Sequence, residues 1–313
     1  MTIEILEPRS RDEWLRIRQQ TIGASEIAAL VGASPWETAF SLYSKRVGNA
    51  APEPENAAMR RGRHLEAVAI EMLREERPDW IVKANPMPGG VFYRDLDAGI
   101  SATPDAFVSA PGRPNGICQI KSVQKFTFDK KWKNADGEIE PPLHVVIQAV
   151  QEAALTGAEW ACVAALVIDF GIDLPVIEIE IHGGIIARMR KEAADFWRRV
   201  AENDPPPPDF GKDGALIASL YSDDNGSEID LSGNEVIVQI LAEREALKAR
   251  EKDGSEAEKA RKVLDAEIIY ELGNASTGRL ADGRVITAKT TRRAGYEVKP
   301  TSFRSVKIKE MKS

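Results

Sequence analysis

The stretch from Gly99 to Lys125, GISATPDAFVSAPGRPNGICQIKSVQK, limits the folds open to this chain more than any other segment. Two β-prone runs flank Pro111, Gly112, Pro114, Asn115 and Gly116, residues that punctuate hairpins. The spacing predicts two short strands joined by a turn. On the second strand, the two-residue period puts Ile117, Gln119 and Lys121 on one face, with Cys118 and Ile120 on the other. On the first, Asp105 follows a proline. A carboxylate, an amide oxygen and an amine on neighbouring strands can meet at one point. An Asp and a second oxygen ligand can hold a hard divalent cation, and a Lys beside them can orient or deprotonate a water. That is the chemistry of a metal-dependent phosphodiesterase. A solvated strand edge carries the same residues more often, so the rest of the chain has to decide.

Trp14, Ile17 and Arg18 fall in a short helix or turn over 11–20. In TIGASEIAALVG, Ser25 suits the N-cap of a helix bearing Ile27, Ala28, Leu30 and Val31. Such an N-terminus can receive an anion, and Arg18 upstream can add a bidentate clamp on a phosphate. An ordinary cap with a surface Arg is the alternative. Residues 37–47 form the next expected helix, and 59–77 another, with Leu65, Val68, Ala69, Met72 and Leu73 as its apolar stripe. Glu66 projects beside that stripe, where a carboxylate is costly to bury without a cationic neighbour. Arg60, Arg61 or Arg63 would satisfy it, and so would a metal.

Residues 124–137 read as a loop in which Lys125, Lys130, Lys131 and Lys133 interleave with Phe126, Phe128 and Trp132. That pattern suits a nucleic-acid strand, with charge for the backbone and rings for bases; a loop with rings packed down and lysines out shares it. A helix over 142–155 places Val145, Gln148, Gln151 and Glu152 along one side. WACVAALVI (160–168) is a continuous apolar run expected as a central buried strand. Residues 176–181 alternate as a half-exposed strand, and 183–202 form an amphipathic helix. DPPPPD (204–209) reads as a stiff linker. Two charged helices, 235–250 and 255–272, suggest a helical hairpin, and LADGRVITAKTTRR a β-hairpin around Asp-Gly. The expected organisation is a core over 10–202, a Pro-rich linker over 203–225, and a helical hairpin with a basic β-hairpin over 226–313.

The net charge of −7 argues against a nucleic-acid binder only as an average. Between Arg279 and Ser313, ten Lys and Arg residues, Arg292 and Arg293 among them, face three acids, a plausible phosphate footprint. A solvated basic tail is the equal alternative. No apolar run reaches the ~18 residues that span a bilayer, and MTIEILEPRSRDEW lacks the pattern of a secretory signal. Cys118 and Cys162, each within an apolar run, are expected as buried free thiols of a reducing cytosol. With three His and no CxxC, zinc is disfavoured.

The order helix, strand, strand, helix, strand, carrying Glu66, Asp105, Gln119-x-Lys121 and Gln148, resembles the PD-(D/E)xK nuclease superfamily. More closely it is similar to the YqaJ family of phage recombination exonucleases, of the lambda-exonuclease type. WLRIRQQTIGASEIAALVGASPW resembles the family's opening Trp…Arg…Gly-x-Ser-(Asp/Glu) segment, RGRHLE its Gly-x-x-x-Glu helix, and SATPDAFV its Asp strand. QIKS stands at the E-x-K position and VVIQAVQEAALTGA at the Gln helix; DGRVITAKTTRR…PTSFRSVKI is similar to the closing segment.

The resemblance implies an α/β fold: a mixed-sheet, restriction-endonuclease-like αβββαβ core. It implies Glu66 and Asp105 as metal-binding carboxylates, Gln119 in the place of a third, and the Ile120 carbonyl as a further ligand. Lys121 would polarise the attacking water, Gln148 would position it, and Arg18 and Ser25 would hold the 5′-phosphate. The implied cofactor is Mg²⁺, replaceable by Mn²⁺, with two ions. The implied activity is 5′→3′ digestion of one strand of duplex DNA from its ends, releasing 5′-mononucleotides and leaving a 3′ overhang. A trimeric ring, a single-strand annealing partner and the cytoplasm of a phage-bearing bacterial host come with it. Gln119 departs from the family's acid, so the site should bind Mg²⁺ more weakly. An endonuclease on the same core, or a catalytically weak DNA-binding homologue, are the alternatives.

Overall fold

The computed structural model describes residues 2–51, 54–85, 90–250, 255–292, 302–304 and 306–310. The chain divides into two compact units: residues 1–47 with 51–206, and residues 48–50 with 207–313.

In the first unit β1 (Ile3–Leu6), α1 (Arg11–Arg18), β2 (Ile22–Gly23), α2 (Ile27–Leu30) and α3 (Ala39–Arg46) precede α4 (Ala57–Glu76). Ser10, Thr38 and Asn56 cap α1, α3 and α4 by accepting a backbone N–H. Ser25 does not cap: the N-cap of α2 is Glu26, which makes no side-chain cap bond. Then come β3 (Ile81–Ala84), β4 (Phe92–Asp95), β5 (Ile100–Ala102), β6 (Ala106–Ala110) and β7 (Arg113–Gln124). The unit closes with α5 (Lys125–Lys131), α6 (Leu143–Thr156), β8 (Trp160–Ile168), β9 (Ile172–Asp173), β10 (Val176–Ile179) and α7 (Gly183–Glu202).

One sheet runs β1-β4-β5-β2 and the other β10-β8-β7-β6-β3, with β9 beside β8. Strands β7 and β8 are parallel, joined by a crossover through α5 and α6, and β3, β6 and β7 are antiparallel neighbours. The helix–three-strand–helix–strand core expected from the resemblance is therefore present in α4, β3, β6, β7, α6 and β8. The run 160–168 is apolar throughout because both faces of β8 are covered. Val163 and Ala165 pack with Val150 of α6 and Met189 of α7, while Cys162 and Ala164 pack with Ala69 and Leu73 of α4. The same division separates Ile117 and Val123 from Cys118 and Ile120 on β7, as the two-residue period predicts. Both cysteines are buried and free.

Two expectations are corrected. The first arm of the predicted hairpin is two strands: β5 pairs with β4 and β2, and β6 with β3 and β7. Thr103 to Asp105 form the break between the sheets, because Pro104 has no N–H to continue a ladder. Residues 125–131 are helix α5, not loop, anchored by the buried rings of Phe128 and Trp132, stacked with centroids 5.8 Å apart.

The second unit begins with α8 (Phe210–Leu220), which lies inside the stretch expected to be linker. Then follow β11 (Glu228–Asp230), α9 (Glu235–Arg250), α10 (Ser255–Leu272), β12 (Thr277–Arg279), β13 (Arg284–Thr287), β14 (Thr290–Arg292), β15 (Ser302–Arg304) and β16 (Lys307–Glu310). Ile237 and Leu241 of α9 and Ile268 and Leu272 of α10 enclose a separate core with Leu280 and Ile286. Strands β12 and β13 form the expected antiparallel hairpin.

Candidate active site

The first unit contains a cleft of about 580 Å³ whose walls come from α1, the β2–α2 junction, α4, the β5–β6 break, β7 and α6. Asp105 sits at that break. Asn85 holds the backbone there: its Nδ2 donates to the Pro104 carbonyl at 2.9 Å, and its own N–H donates to the Asp105 carbonyl at 2.9 Å. The Asp105 Oδ2 accepts from the Ile120 N–H at 2.7 Å and from the Gln119 amide.

Because Gln119 and Lys121 alternate on β7 with Ile120, both face α6. Lys121 Nζ donates to Gln148 Oε1 at 2.8 Å. Gln148 Nε2 donates to Gln119 Oε1 at 3.0 Å and to Glu152 Oε1 at 2.9 Å. The result is a continuous polar chain from Asp105 through Gln119 and Gln148 to Lys121 and Glu152. Gln119 turns its nitrogen, not its carbonyl oxygen, to Asp105. The reason is that an ionised carboxylate only accepts hydrogen bonds. The same nitrogen also donates to the Ile120 carbonyl at 3.2 Å.

Glu66 reaches the cleft from α4. Burial and then the neighbouring Asp105 charge push its pKa up to about 7, against the pull of Lys121. Asp105 is raised by burial, opposed by Lys121 and the Ile120 and Gln119 hydrogen bonds. The nearby arginines do not neutralise Glu66. Arg61 donates to the Ser122 carbonyl at 3.2 Å, Arg63 pairs with Glu55, and among the described residues no ion pair joins an arginine to Glu66.

Arg18 and Ser25 line the same cleft, with Arg18 Nη2 donating to Ser25 Oγ at 2.7 Å. Arg18 lies over the Trp14 ring at 4.9 Å, and Trp14 Nε1 donates to Thr103 Oγ1 at 3.2 Å. The guanidinium is thereby tied to the break that carries Asp105. Lys125 and Lys131, on α5, do not line the cleft; Lys125 pairs with Asp129 at 2.8 Å. Arg293 lies outside the described residues, and of Arg292 only the backbone, in β14, is described.

Glu152 was legible only as one polar member of a helix face. In the structure it is 1% exposed, and its Oε2 has no hydrogen-bond partner. Burial, then the Asp105 charge, raise its pKa well above the usual 4.5. Burying a carboxylate costs several kcal/mol after relaxation, whereas a hydrogen bond to a charged group returns about 1.5–3 kcal/mol. The Gln148 bond therefore leaves a deficit. The sequence signal was Glu at i+4 from Gln148 on a helix with no other carboxylate and no Lys or Arg.

Carboxylate and carbonyl oxygens suit a hard divalent cation, and the burial that raises Glu66, Asp105 and Glu152, with the Asp105 repulsion added at Glu66 and Glu152, is what such a cation relieves. Among the described residues no three His, Cys, Asp or Glu side chains form a metal-holding group. A cation here would therefore draw on neutral oxygen donors as well, such as the Ile120 carbonyl, which accepts from Gln119 in this structure.

Residues 13–159 match the family described as the YqaJ-like viral recombinase domain. Over 275 residues the chain is 24% identical to the uncharacterised protein YqaJ of Bacillus subtilis strain 168, covering 86% of this chain and 80% of that one. Its fold is similar to an alkaline exonuclease, LHK-Exo, from Laribacter hongkongensis (21% identity, TM-score 0.45, 62% of this chain and 94% of that one). It is also similar to a phage-related exonuclease from Haemophilus somnus 129PT (13% identity, TM-score 0.45, 58% of this chain and 96% of that one).

Proposed function

We propose, from the match of residues 13–159 to the YqaJ-like viral recombinase family, that the chain is a divalent-cation-dependent deoxyribonuclease acting on duplex DNA ends. The observation that supports this best is the convergence of Glu66, Asp105, Lys121 and Gln148 with the Arg18–Ser25 pair on one cleft.

Glu66 and Asp105, with the Ile120 carbonyl, would hold Mg²⁺ or Mn²⁺, as two ions, and Gln119 would join them through its oxygen once its amide turns over. When bound, the cation supplies Lewis acidity at the scissile phosphate and lowers the pKa of water. Lys121, its direction set by Gln148, offers a positive charge where charge develops on the phosphate. Arg18 and Ser25 take the terminal 5′-phosphate, a role that suits a guanidinium and hydroxyl already 2.7 Å apart. An end held there gives 5′→3′ progress, 5′-mononucleotides and a 3′ overhang. Assembly as a trimeric ring, a single-strand annealing partner and action in the bacterial cytoplasm follow from the same reading. Among the described residues no helix is long and apolar enough to cross a membrane.

The test is a time course on linear duplex with chemically distinguished ends, and on a closed circle, with and without Mg²⁺. The expected result is Mg²⁺-dependent mononucleotide release from 5′-phosphorylated ends, with the circle spared and Arg18→Ala losing the preference for phosphorylated ends. Cutting of the circle would replace exonuclease by endonuclease. No Mg²⁺-dependent hydrolysis of either substrate would end the nuclease reading.

A further inference from the structure

Among the described residues, the one ion pair of Arg18 is with Glu26, and a second arginine holds that carboxylate more closely. Glu26 Oε2 accepts from Arg46 Nη2 at 3.0 Å and from the Gly23 N–H at 2.9 Å, while Arg18 Nε lies 3.9 Å away. Arg46 is the last residue of α3 and does not line the cleft; its side chain is 10% exposed and that of Glu26 16%. An arginine in the last turn of a helix is often no more than a favourable contact with the helix dipole. Two features set this one apart. Arg46 Nη2 also donates to the Thr21 carbonyl at 3.0 Å, which fixes it to the segment between α1 and β2. And a Cβ on Gly23 would come 3.1 Å from Glu26 Oε2 and 3.4 Å from Arg18 Nε, so carboxylate and guanidinium both lie against the backbone at the cleft wall.

A terminal 5′-phosphate is a monoester, with a second ionisable oxygen that a diester within the strand lacks. A guanidinium that binds it needs charge and donors not already committed to a protein carboxylate. Arg18 meets that requirement: among the described residues its one hydrogen bond goes to Ser25 Oγ, and it rests on the Trp14 ring. Glu26, occupied by Arg46 and the Gly23 N–H, leaves it there. Two cations and one anion leave a single positive charge on the cleft side. Without Arg46 the same cluster would be neutral, and Glu26 would have Arg18 as its remaining cation.

Resting on the proposed 5′-phosphate pocket, we propose that Arg46 is a positioning residue for it. By neutralising Glu26, Arg46 keeps the Arg18 guanidinium on Ser25 and unpaired toward the cleft, and so makes the pocket selective for a terminal phosphate monoester.

The experiment follows release of the first nucleotide by the full chain, with Mg²⁺, from duplexes that differ only in a 5′-phosphate or 5′-hydroxyl end. KM and kcat are read for each end, with thermal melts as a control for folding. Arg46→Gln, which can still donate to the Thr21 carbonyl, is expected to raise KM for the phosphorylated end about tenfold with kcat little changed, the effect of an uncancelled carboxylate beside the phosphate-binding guanidinium. Arg46→Lys, which keeps the charge, should stay near wild type. Adding Glu26→Gln to Arg46→Gln removes the uncancelled charge and should restore the preference, whereas a pair that merely braces α3 against α2 would lose more. Wild-type KM in Arg46→Gln, or a rise that the double variant does not reverse, overturns this inference; loss of preference in Arg18→Ala then shows the pocket itself still standing. Equal rates on both ends by wild type overturn the pocket and this inference together, and no hydrolysis by wild type ends the nuclease reading with them. Should Arg46→Gln fail to fold, Glu26→Gln alone decides. With Arg46 no longer bound to a carboxylate, KM for the phosphorylated end should fall; an unchanged or higher KM overturns the inference.

Discussion

At the scale of single residues, Lys121 and Glu66 carry the sharpest expectations. Lys121 donates to Gln148 and lies on the strand that also anchors Asp105. Lys121→Ala should lower turnover by about 10²–10³-fold, the usual effect of removing one group that stabilises transition-state charge. Circular dichroism and DNA binding should be unchanged; wild-type turnover by the variant would strip Lys121 of its role. Glu66 gives a pH dependence. Its pKa in the folded chain, about 7, is above the ordinary 4.5, so the folded state binds its proton more tightly than the unfolded state does. The stability this contributes is complete below about pH 4.5 and is lost as pH rises through about 7. The metal-free protein should therefore melt at lower temperature at pH 8 than at pH 5.5 on this account, and Glu66→Gln should flatten that difference. Mg²⁺ should bring the pH 8 value up in wild type and far less in the variant. A melting temperature independent of pH in wild type, measured with a chelator, would contradict the burial of Glu66 beside Asp105.

At the scale of elements, the β5–β6 break and helix α6 position the chemistry. Gly99 opens β5 with φ 63°, and its carbonyl accepts from the Ile22 N–H at 2.8 Å and from Trp197 Nε1 at 2.9 Å. A Cβ there would run into the Trp197 indole. Gly99→Ala combines a left-handed backbone with overpacking and should cost about 1–3 kcal/mol. Urea denaturation reads this directly, and an unchanged midpoint would mean that α7 accommodates the methyl group. On α6 the four-residue spacing of Gln148 and Glu152 stacks them on one face, over β7. The helix delivers these two side chains four residues apart, as β7 delivers Gln119 and Lys121 two apart, so both elements converge on Gln148.

At the scale of the whole molecule, each unit owns a hydrophobic core, and the cleft lies entirely within the first. A fragment ending at Pro206 should therefore melt cooperatively and keep the Mn²⁺ binding proposed for the full chain. A broad transition without cooperativity would show that residues 207–313 are needed to complete the first core. The basic character of the closing segment is partly spent internally: Arg279 pairs with Glu228, and Arg284 with Asp282. Exposed pairs of this kind contribute no more than about 1 kcal/mol each, so they leave those arginines free to exchange partners.

The sequence by itself determined the strands and helices whose periodicity is strong, and with them the faces of β7. Ile117 and Lys121 must lie opposite Cys118 and Ile120, since side chains alternate along any strand. It determined Asp105 and Lys121 as a pair, through their closeness along one stretch of chain. Only the tertiary structure decided that Asp105 marks a change of sheet, that Ser25 serves Arg18 rather than a helix cap, and that α5 is ordered by two buried rings. Only it separated Glu152 from the other polar residues of α6. Local pattern reports which face a residue occupies, whereas burial and unpaired charge depend on what packs there from segments far away along the chain.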